Sequence, residues 1–95
     1  MLTLEQFKEA RNVLQGVLRP TPLIHSPYLS KSCGNNVYLK PENMQVTGAY
    51  KIRGAYYKIS TLTDEEKARG LVTASAGNHA QGVAYAAQAA GVAAT

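Results

Sequence analysis

Residues 71–95 read LVTASAGNHAQGVAYAAQAAGVAAT, and this stretch decides the fold of the chain. The apolar LVTA predicts a buried strand, and SAGN predicts a tight loop. HAQGVAYAAQAA is typical of an alanine-rich helix, which Gly91 ends, and VAAT begins another strand. A strand, helix and strand in this order form a βαβ crossover. The sequence therefore predicts an α/β fold with a parallel sheet and flanking helices.

The loop at residues 75–78 lies where α/β proteins bind anions. At the carboxyl end of a strand, the free N–H groups and the dipole of the following helix attract negative charge. Ser75 offers a hydroxyl, Asn78 can donate and accept, and Gly77 lets a ligand approach the backbone. The alternative is that Ser75 or Asn78 only caps the helix. Neither a G-x-G-x-x-G pattern nor a P-loop is present, which argues against a dinucleotide or P-loop site.

A second candidate lies upstream, in ENMQVTGAYKIRGAYYKI at residues 42–59. Residues 50–60 have helical periodicity, which places Lys51 in the first turn of a helix. There the helix dipole disfavours positive charge and Arg53 adds like-charge repulsion, so both favour the neutral amine. A neutral lysine amine attacks aldehydes to form a Schiff base. The alternative is an ordinary solvated lysine on a helix surface.

Glu42 opens the same segment and has two interpretations. It can act as an acid or base, or it can be a structural carboxylate that anchors the lysine loop through backbone N–H groups. We favour the structural role. For Arg53, a surface salt bridge is favoured over a contact with an anionic ligand.

The remaining predicted elements are short. In a capping box, a threonine and a Glu or Gln three residues later satisfy each other's backbone N–H groups, and this pattern predicts two helix starts. Hydrophobic periodicity and turn residues bound the other elements. The predictions are a helix at 4–16 after Thr3, strands at 23–26 and 37–40, and a short helix that opens at Thr63 and ends at Gly70.

Composition excludes several classes of protein. The net charge is +4 over 95 residues, yet no block of like charge indicates nucleic-acid binding. No apolar run is long enough to span a bilayer and no signal sequence opens the chain, so we expect no membrane association. Cys33 is the single cysteine and has no metal-binding partner at suitable spacing, so we expect a cytoplasmic protein without a metal. The chain stops inside a predicted strand, so we expect the N-terminal portion of a longer protein.

Together, the two segments resemble the fold-type II pyridoxal-phosphate enzymes, and among them the serine/threonine dehydratase (threonine ammonia-lyase) family. ENMQVTGAYKIRGAYYKI is similar to the cofactor-lysine motif of that family, and TASAGNHAQGVAYAA is similar to its substrate loop. RPTPL at 19–23 and VYLKPEN at 37–43 also match. The resemblance implies a tryptophan synthase β-like fold of which residues 1–95 are an incomplete N-terminal segment of the catalytic domain.

The resemblance also implies a cofactor, a reaction and a set of site residues. Pyridoxal 5'-phosphate would be held covalently by Lys51, which would then shuttle protons, and the β-hydroxyl of L-threonine or L-serine would be eliminated to give a 2-oxo acid and ammonia. Asn78 would hydrogen-bond the phenolic oxygen of the cofactor, and Tyr50 would pack near its ring. The substrate carboxylate would be received by Ser75, Ala76, Gly77, Asn78 and His79.

Several alternatives stay open at this point. Ile52-Arg53-Gly54 and SAGNHAQG favour the dehydratase and serine racemase side over cysteine-synthase-like relatives, without separating dehydratase from racemase. An alternative from another class is a non-catalytic module that binds an anionic metabolite. In the family, the loop that grips the cofactor phosphate lies beyond position 95. We therefore expect the isolated chain to be inactive. The resemblance also implies that the full-length protein is a homo-oligomer that acts on an amino acid.

Overall fold

The chain folds into five α-helices, two short strands and one 3-10 turn, and the computed structural model describes all residues, Met1–Thr95. None of these helices combines the length and apolar character that crossing a membrane requires. In chain order the elements are α1 (Leu4–Leu14), β1 (Ile24–His25), α2 (Pro27–Cys33), β2 (Tyr38–Leu39), the 3-10 turn (Glu42–Met44), α3 (Ile52–Ser60), α4 (Asp64–Ala68) and α5 (Asn78–Ala90).

Both predicted capping boxes are confirmed. Gln6 N–H donates to Thr3 Oγ1 at 3.3 Å, and Thr3 N–H donates to Gln6 Oε1 at 2.9 Å. Thr63 and Glu66 form the same reciprocal pair at 3.2 and 2.9 Å. The backbone N–H of Thr63 lowers the pKa of the Glu66 carboxyl by stabilising its charged form. These local bonds fix where α1 and α4 begin, although α1 ends at Leu14 rather than at residue 16.

Helix α2 was not predicted, although its signals are local. Ser26 Oγ accepts a hydrogen bond from Leu29 N–H at 3.4 Å, and Pro27 occupies the first turn, where it loses no helical hydrogen bond. Gly34 ends the helix in the left-handed conformation with φ 69°. A serine, proline and terminal glycine at this spacing are sufficient to indicate a short helix.

The core lies between α3 and α5. Ala55 and Ile59 of α3 pack against Val83 and Ala86 of α5, and Ile52 at the start of α3 is fully buried. Alanines let the two helices approach closely, but they bury little apolar area. Only 11 of 95 residues are buried, and the radius of gyration of 16.3 Å exceeds the roughly 12 Å expected of a compact chain of this length. Most apolar side chains outside this interface therefore remain exposed.

The predicted parallel sheet is present only as one bridge, between Leu71 and Ala94. Leu71 N–H donates to the Ala93 carbonyl at 2.8 Å, and Thr95 N–H donates to the Leu71 carbonyl at 2.9 Å. The parallel direction of the crossover is as expected from its topology. The prediction of a buried strand is wrong, because the side chain of Val72 is 89% exposed. A strand becomes buried only when neighbours cover both of its faces, and here helices cover only one.

The one regular sheet pairs β1 with β2 in antiparallel register, Ile24 opposite Leu39 and His25 opposite Tyr38. Strands were predicted at 23–26 and 37–40, so both are confirmed with shorter bounds. The His25 ring packs against Tyr38 with centroids 5.3 Å apart, and its Nε2 lies 3.1 Å from Ser30 Oγ. His25 therefore has packing and hydrogen-bonding partners within this hairpin-like unit.

Candidate functional site

Lys51 stands at the N-cap of α3, with φ −65° and ψ −20°. Its carbonyl accepts the first helical hydrogen bond from Ala55 N–H at 3.1 Å, while the Tyr50 carbonyl accepts one from Arg53 N–H at 3.0 Å. The side chains of Lys51 and Tyr50 are both exposed. Lys51 was predicted in the first turn of a helix, and it lies just before that turn, at the N-cap residue, with its side chain accessible to a solute.

Gly82 of α5 lies directly against the backbone of Lys51 and Ile52. A β-carbon placed on Gly82 would lie 3.2 Å from Ile52 N and 3.3 Å from the Lys51 carbonyl carbon. These are main-chain atoms that cannot rotate away, so glycine is the residue that fits this contact without displacement. Asn78, the first residue of α5, precedes Gly82 by about one helical turn. The lysine segment and the start of α5 therefore meet at one place.

Sequence reasoning missed Gly82, although a signal was available. A glycine inside an alanine-rich helix costs about 1 kcal/mol relative to alanine. Such a residue indicates a close backbone approach.

The N-terminus of α5 has no side-chain cap. Gly77 is the N-cap residue and no side chain bonds to the first-turn N–H groups. The Ser75 hydroxyl instead accepts a hydrogen bond from Gly77 N–H at 3.3 Å, and the Asn78 side chain is exposed. The alternative that Ser75 or Asn78 merely caps the helix is therefore wrong. The first-turn N–H groups stay available for an anion such as a carboxylate or phosphate.

His79 follows in the first turn of α5 and is half-buried. It lines a cavity of about 250 Å³ between α3 and α5, together with Lys58, Thr73 and Val83. Ser75, Ala76 and Asn78 are exposed and do not line this cavity. His79 thus differs in its surroundings from the other residues of the predicted substrate loop.

Thr47, four residues before Lys51, carries the one buried side-chain oxygen without a hydrogen-bond partner. A buried hydroxyl left without a partner costs about 1 to 3 kcal/mol. Unsatisfied groups of this kind are rare in native proteins, and a catalytic role, local strain or a bound water or ion accounts for them.

Glu42 is held by side chains from two other segments. Arg53 donates two hydrogen bonds to its carboxylate, from Nε to Oε2 at 2.9 Å and from Nη2 to Oε1 at 2.7 Å. The Thr21 hydroxyl donates a third to Oε1 at 2.6 Å. The Arg53 bonds, assisted by Thr21, lower the pKa of Glu42 from 4.5 to about 2 against the opposing effect of burial. The carboxylate in turn raises the pKa of Arg53. Such a permanently ionised group cannot serve as a general acid near neutral pH.

The structural role expected for Glu42 is consistent with these contacts, but its partners differ from the expectation. They are the Arg53 and Thr21 side chains rather than backbone N–H groups. Arg53, which we expected to exert like-charge repulsion on Lys51, is instead paired with the Glu42 carboxylate.

The structure thus brings together an exposed lysine at a helix start, whose main chain lies against Gly82, and a helix whose first-turn N–H groups have no side-chain cap. Residues 14–95 match the family described as pyridoxal-phosphate dependent enzyme, and the chain belongs to this family. The resemblance found in the sequence is thereby confirmed.

The similarity extends to curated proteins of known activity. The chain is 57% identical over 95 residues to the L-threonine ammonia-lyase of Thermotoga maritima, covering 100% of the chain and 24% of that protein. It is 48% identical to the biosynthetic L-threonine dehydratase of Lactococcus lactis, covering 100% of the chain and 23% of that protein. The chain thus spans about a quarter of the length of the curated relatives it matches.

Solved structures show the same relationship. The threonine deaminase of T.th. superposes with a TM-score of 0.86 at 40% identity, over 99% of this chain and 33% of that one. Maize serine racemase superposes with a TM-score of 0.88 at 37% identity, over 96% of this chain and 29% of that one. The chain therefore has the structure of one part of the fold-type II pyridoxal-phosphate enzymes.

The residues present fit the cofactor that gives the family its name. Pyridoxal phosphate carries an aldehyde, a phenolic oxygen and a phosphate. The exposed amine of Lys51 can react with the aldehyde, and the uncapped start of α5 together with Asn78 offers donors for oxygen atoms. The unpartnered hydroxyl of Thr47 is a further polar group close to Lys51 in the chain. Nothing in this donor set conflicts with the cofactor.

Proposed function

We propose that the chain is the N-terminal segment of the catalytic domain of a pyridoxal-phosphate-dependent dehydratase. The enzyme eliminates the β-hydroxyl of L-threonine or L-serine and gives a 2-oxo acid and ammonia. The observation that carries this proposal is the 57% identity, over all 95 residues, with a protein named L-threonine ammonia-lyase. The rest of the protein would extend the parallel pairing of Leu71 with Ala94 into a sheet covered on both faces.

Lys51 is assigned two tasks in this enzyme, covalent attachment of the cofactor and transfer of the proton at the α-carbon of the substrate. Its exposed amine and the close packing of its main chain against Gly82 support both tasks, because a proton is transferred efficiently only by a positioned group. When bound, the cofactor ring supplies an electron sink for negative charge at that carbon. The protein then has to orient the substrate and hold the amine in reach.

The start of α5 is assigned the recognition of oxygen atoms. The Asn78 side chain would donate to the phenolic oxygen of the cofactor, and Tyr50 would pack beside the ring. The uncapped first turn of α5 supports these roles, since its N–H groups point toward any anion placed there. The substrate carboxylate would be received by Ser75, Ala76, Gly77, Asn78 and His79.

Serine racemase is the second candidate function. The observation in its favour is the close superposition on maize serine racemase, at 37% identity. The two activities differ in their product, because a racemase returns the amino acid with inverted configuration and a dehydratase releases a 2-oxo acid. The higher identity to the ammonia-lyase, 57%, favours the dehydratase.

The test uses a chimera, because the chain corresponds to only about a quarter of the length of its relatives. Residues 1–95 replace the matched segment of the Thermotoga maritima ammonia-lyase, and release of 2-oxo acid from L-threonine and L-serine is measured. We expect turnover in the chimera, loss of turnover in Lys51→Ala, and retention in the matched control Lys31→Ala, an exposed lysine on α2. Full activity of Lys51→Ala, or inversion of serine without release of 2-oxo acid, would contradict the proposal.

A further inference from the structure

The Gln45 side chain makes a two-way pair with the backbone of Arg19. Arg19 N–H donates to Gln45 Oε1 at 2.8 Å, and Gln45 Nε2 donates to the Arg19 carbonyl at 3.1 Å. The same Oε1 accepts from Val46 N–H at 3.1 Å, and only 3% of Gln45 is exposed. The amide thus forms the two hydrogen bonds that a neighbouring strand would form, and it satisfies the backbone N–H and C=O of Arg19.

A second set of contacts joins residues 19–21 to Arg53, which lies on the C-terminal side of Lys51. The Thr21 hydroxyl donates to Glu42, which is held by two bonds from Arg53. The Lys40 ammonium also donates to the Thr21 carbonyl. Thr21 itself is buried, with 4% of its surface exposed, whereas the side chain of Arg53 is 38% exposed.

The two sets of contacts involve residues on both sides of Lys51 in the sequence. Gln45 precedes Lys51 by six residues, and Arg53 follows it by two. We propose that residues 19–21, Glu42, Gln45 and Arg53 form a positioning device for Lys51, which we name the lysine bracket. This inference rests on the proposed function, since it concerns how the amine is held toward the cofactor.

The bracket acts on the main chain rather than on the amine itself. The turn that Gly48 closes by donating its N–H to the Gln45 carbonyl at 2.8 Å leads directly into Lys51. Gly82 of α5 also packs so closely against the Lys51 main chain that a β-carbon there would lie 3.3 Å from the Lys51 carbonyl carbon. Loss of the Gln45 pair would leave Arg19 N–H and C=O without partners and would free this turn to shift. Small displacements of a reacting group cost large factors in rate.

The experiment measures the chemical reactivity of Lys51 rather than turnover. The chimera is incubated with pyridoxal phosphate and reduced with borohydride. Peptide mass spectrometry then gives the adduct rate at Lys51 relative to the exposed Lys31 in the same sample. The variants are Gln45→Met, which has a similar shape but no amide, and Thr21→Val, which replaces the hydroxyl by a methyl group. Gln88→Met is the matched control, because Gln88 is exposed on α5.

We expect the Lys51 ratio to fall by about fivefold or more in Gln45→Met, to fall less in Thr21→Val, and to stay unchanged in Gln88→Met. A purely structural role would lower the thermal midpoint without changing this ratio in the folded protein. If Gln45→Met does not fold, Thr21→Val decides. Unchanged ratios in the folded bracket variants would overturn the bracket. The proposed function would still stand in that case, provided that Lys51 of the parent chimera is labelled. Absence of a Lys51 adduct in the parent would overturn both.

Discussion

Replacing Gly82 by alanine probes the contact that brings the lysine segment and α5 together. The added β-carbon would lie 3.2 Å from Ile52 N, 3.3 Å from the Lys51 carbonyl carbon and 3.4 Å from Ile52 Cα. Overpacking of this kind costs about 1 to 3 kcal/mol. The higher helix propensity of alanine returns about 1 kcal/mol. We therefore expect Gly82→Ala to lower the free energy of unfolding by about 0 to 2 kcal/mol.

Gly54→Ala is the matched control. Gly54 lies inside α3, and a β-carbon there would meet no atom within 4 Å. The free energy of unfolding of this variant should rise by up to about 1 kcal/mol, because alanine has the higher helix propensity. The difference in the free energy of unfolding between the two variants isolates the steric cost, about 1 to 3 kcal/mol. This difference is more reliable than the value for either variant alone.

The assay is urea unfolding of both variants in the chimera, followed by circular dichroism. The midpoint of Gly82→Ala should lie below that of Gly54→Ala, and the Lys51 adduct ratio should fall only in Gly82→Ala. Equal stabilisation by both substitutions would refute the reasoning, because it would mean that α5 does not press on the Lys51 main chain.

Three further predictions concern stability. Glu42→Gln should lower the free energy of unfolding at pH 7 by about 1 to 2 kcal/mol, a value reduced for screening because the Arg53 side chain is 38% exposed. Since folding lowers the pKa of Glu42 from 4.5 to about 2, this contribution is present above pH 4.5 and is lost as the pH falls toward 2, so urea midpoints of parent and variant should converge in acid. Thr63→Ala should cost about 1 kcal/mol through loss of the α4 cap, and an unchanged urea midpoint would show that the cap is not formed in solution. Thr47→Val should be neutral or stabilising without cofactor, because it removes an unpaired buried hydroxyl; a lowered midpoint would show that the hydroxyl has a partner.

Local features of the fold were predictable because a few neighbouring residues determine them. Each capping box needs only a threonine and the residue three positions later, and both boxes formed. The helices predicted at 50–60 and 79–90 appear as Ile52–Ser60 and Asn78–Ala90, since hydrophobic periodicity indicates both and Gly91 ends the second. Helix α2 was equally local and could have been predicted from Ser26, Pro27 and Gly34.

Contacts between distant segments were not predictable from one sequence. Nothing near Glu42 in the chain indicates that Thr21 and Arg53 bind it together, or that Gln45 pairs with the backbone of Arg19. The burial of the LVTA strand was also predicted wrongly, because hydrophobic composition shows that a strand can be covered but not what covers it. For the candidate site, residue types indicated Lys51 and the 75–79 loop, whereas the contacts around the Lys51 segment were visible only in three dimensions.

The most direct test of the central claim is to find which of the six lysines in residues 1–95 of the chimera forms a borohydride-reducible adduct with pyridoxal phosphate. If Lys51 is the cofactor lysine, peptide mass spectrometry should find the adduct on Lys51 at limiting cofactor and almost none on the other five. Labelling spread evenly over the lysines, or concentrated on one other than Lys51, would contradict the assignment of this segment as the cofactor site.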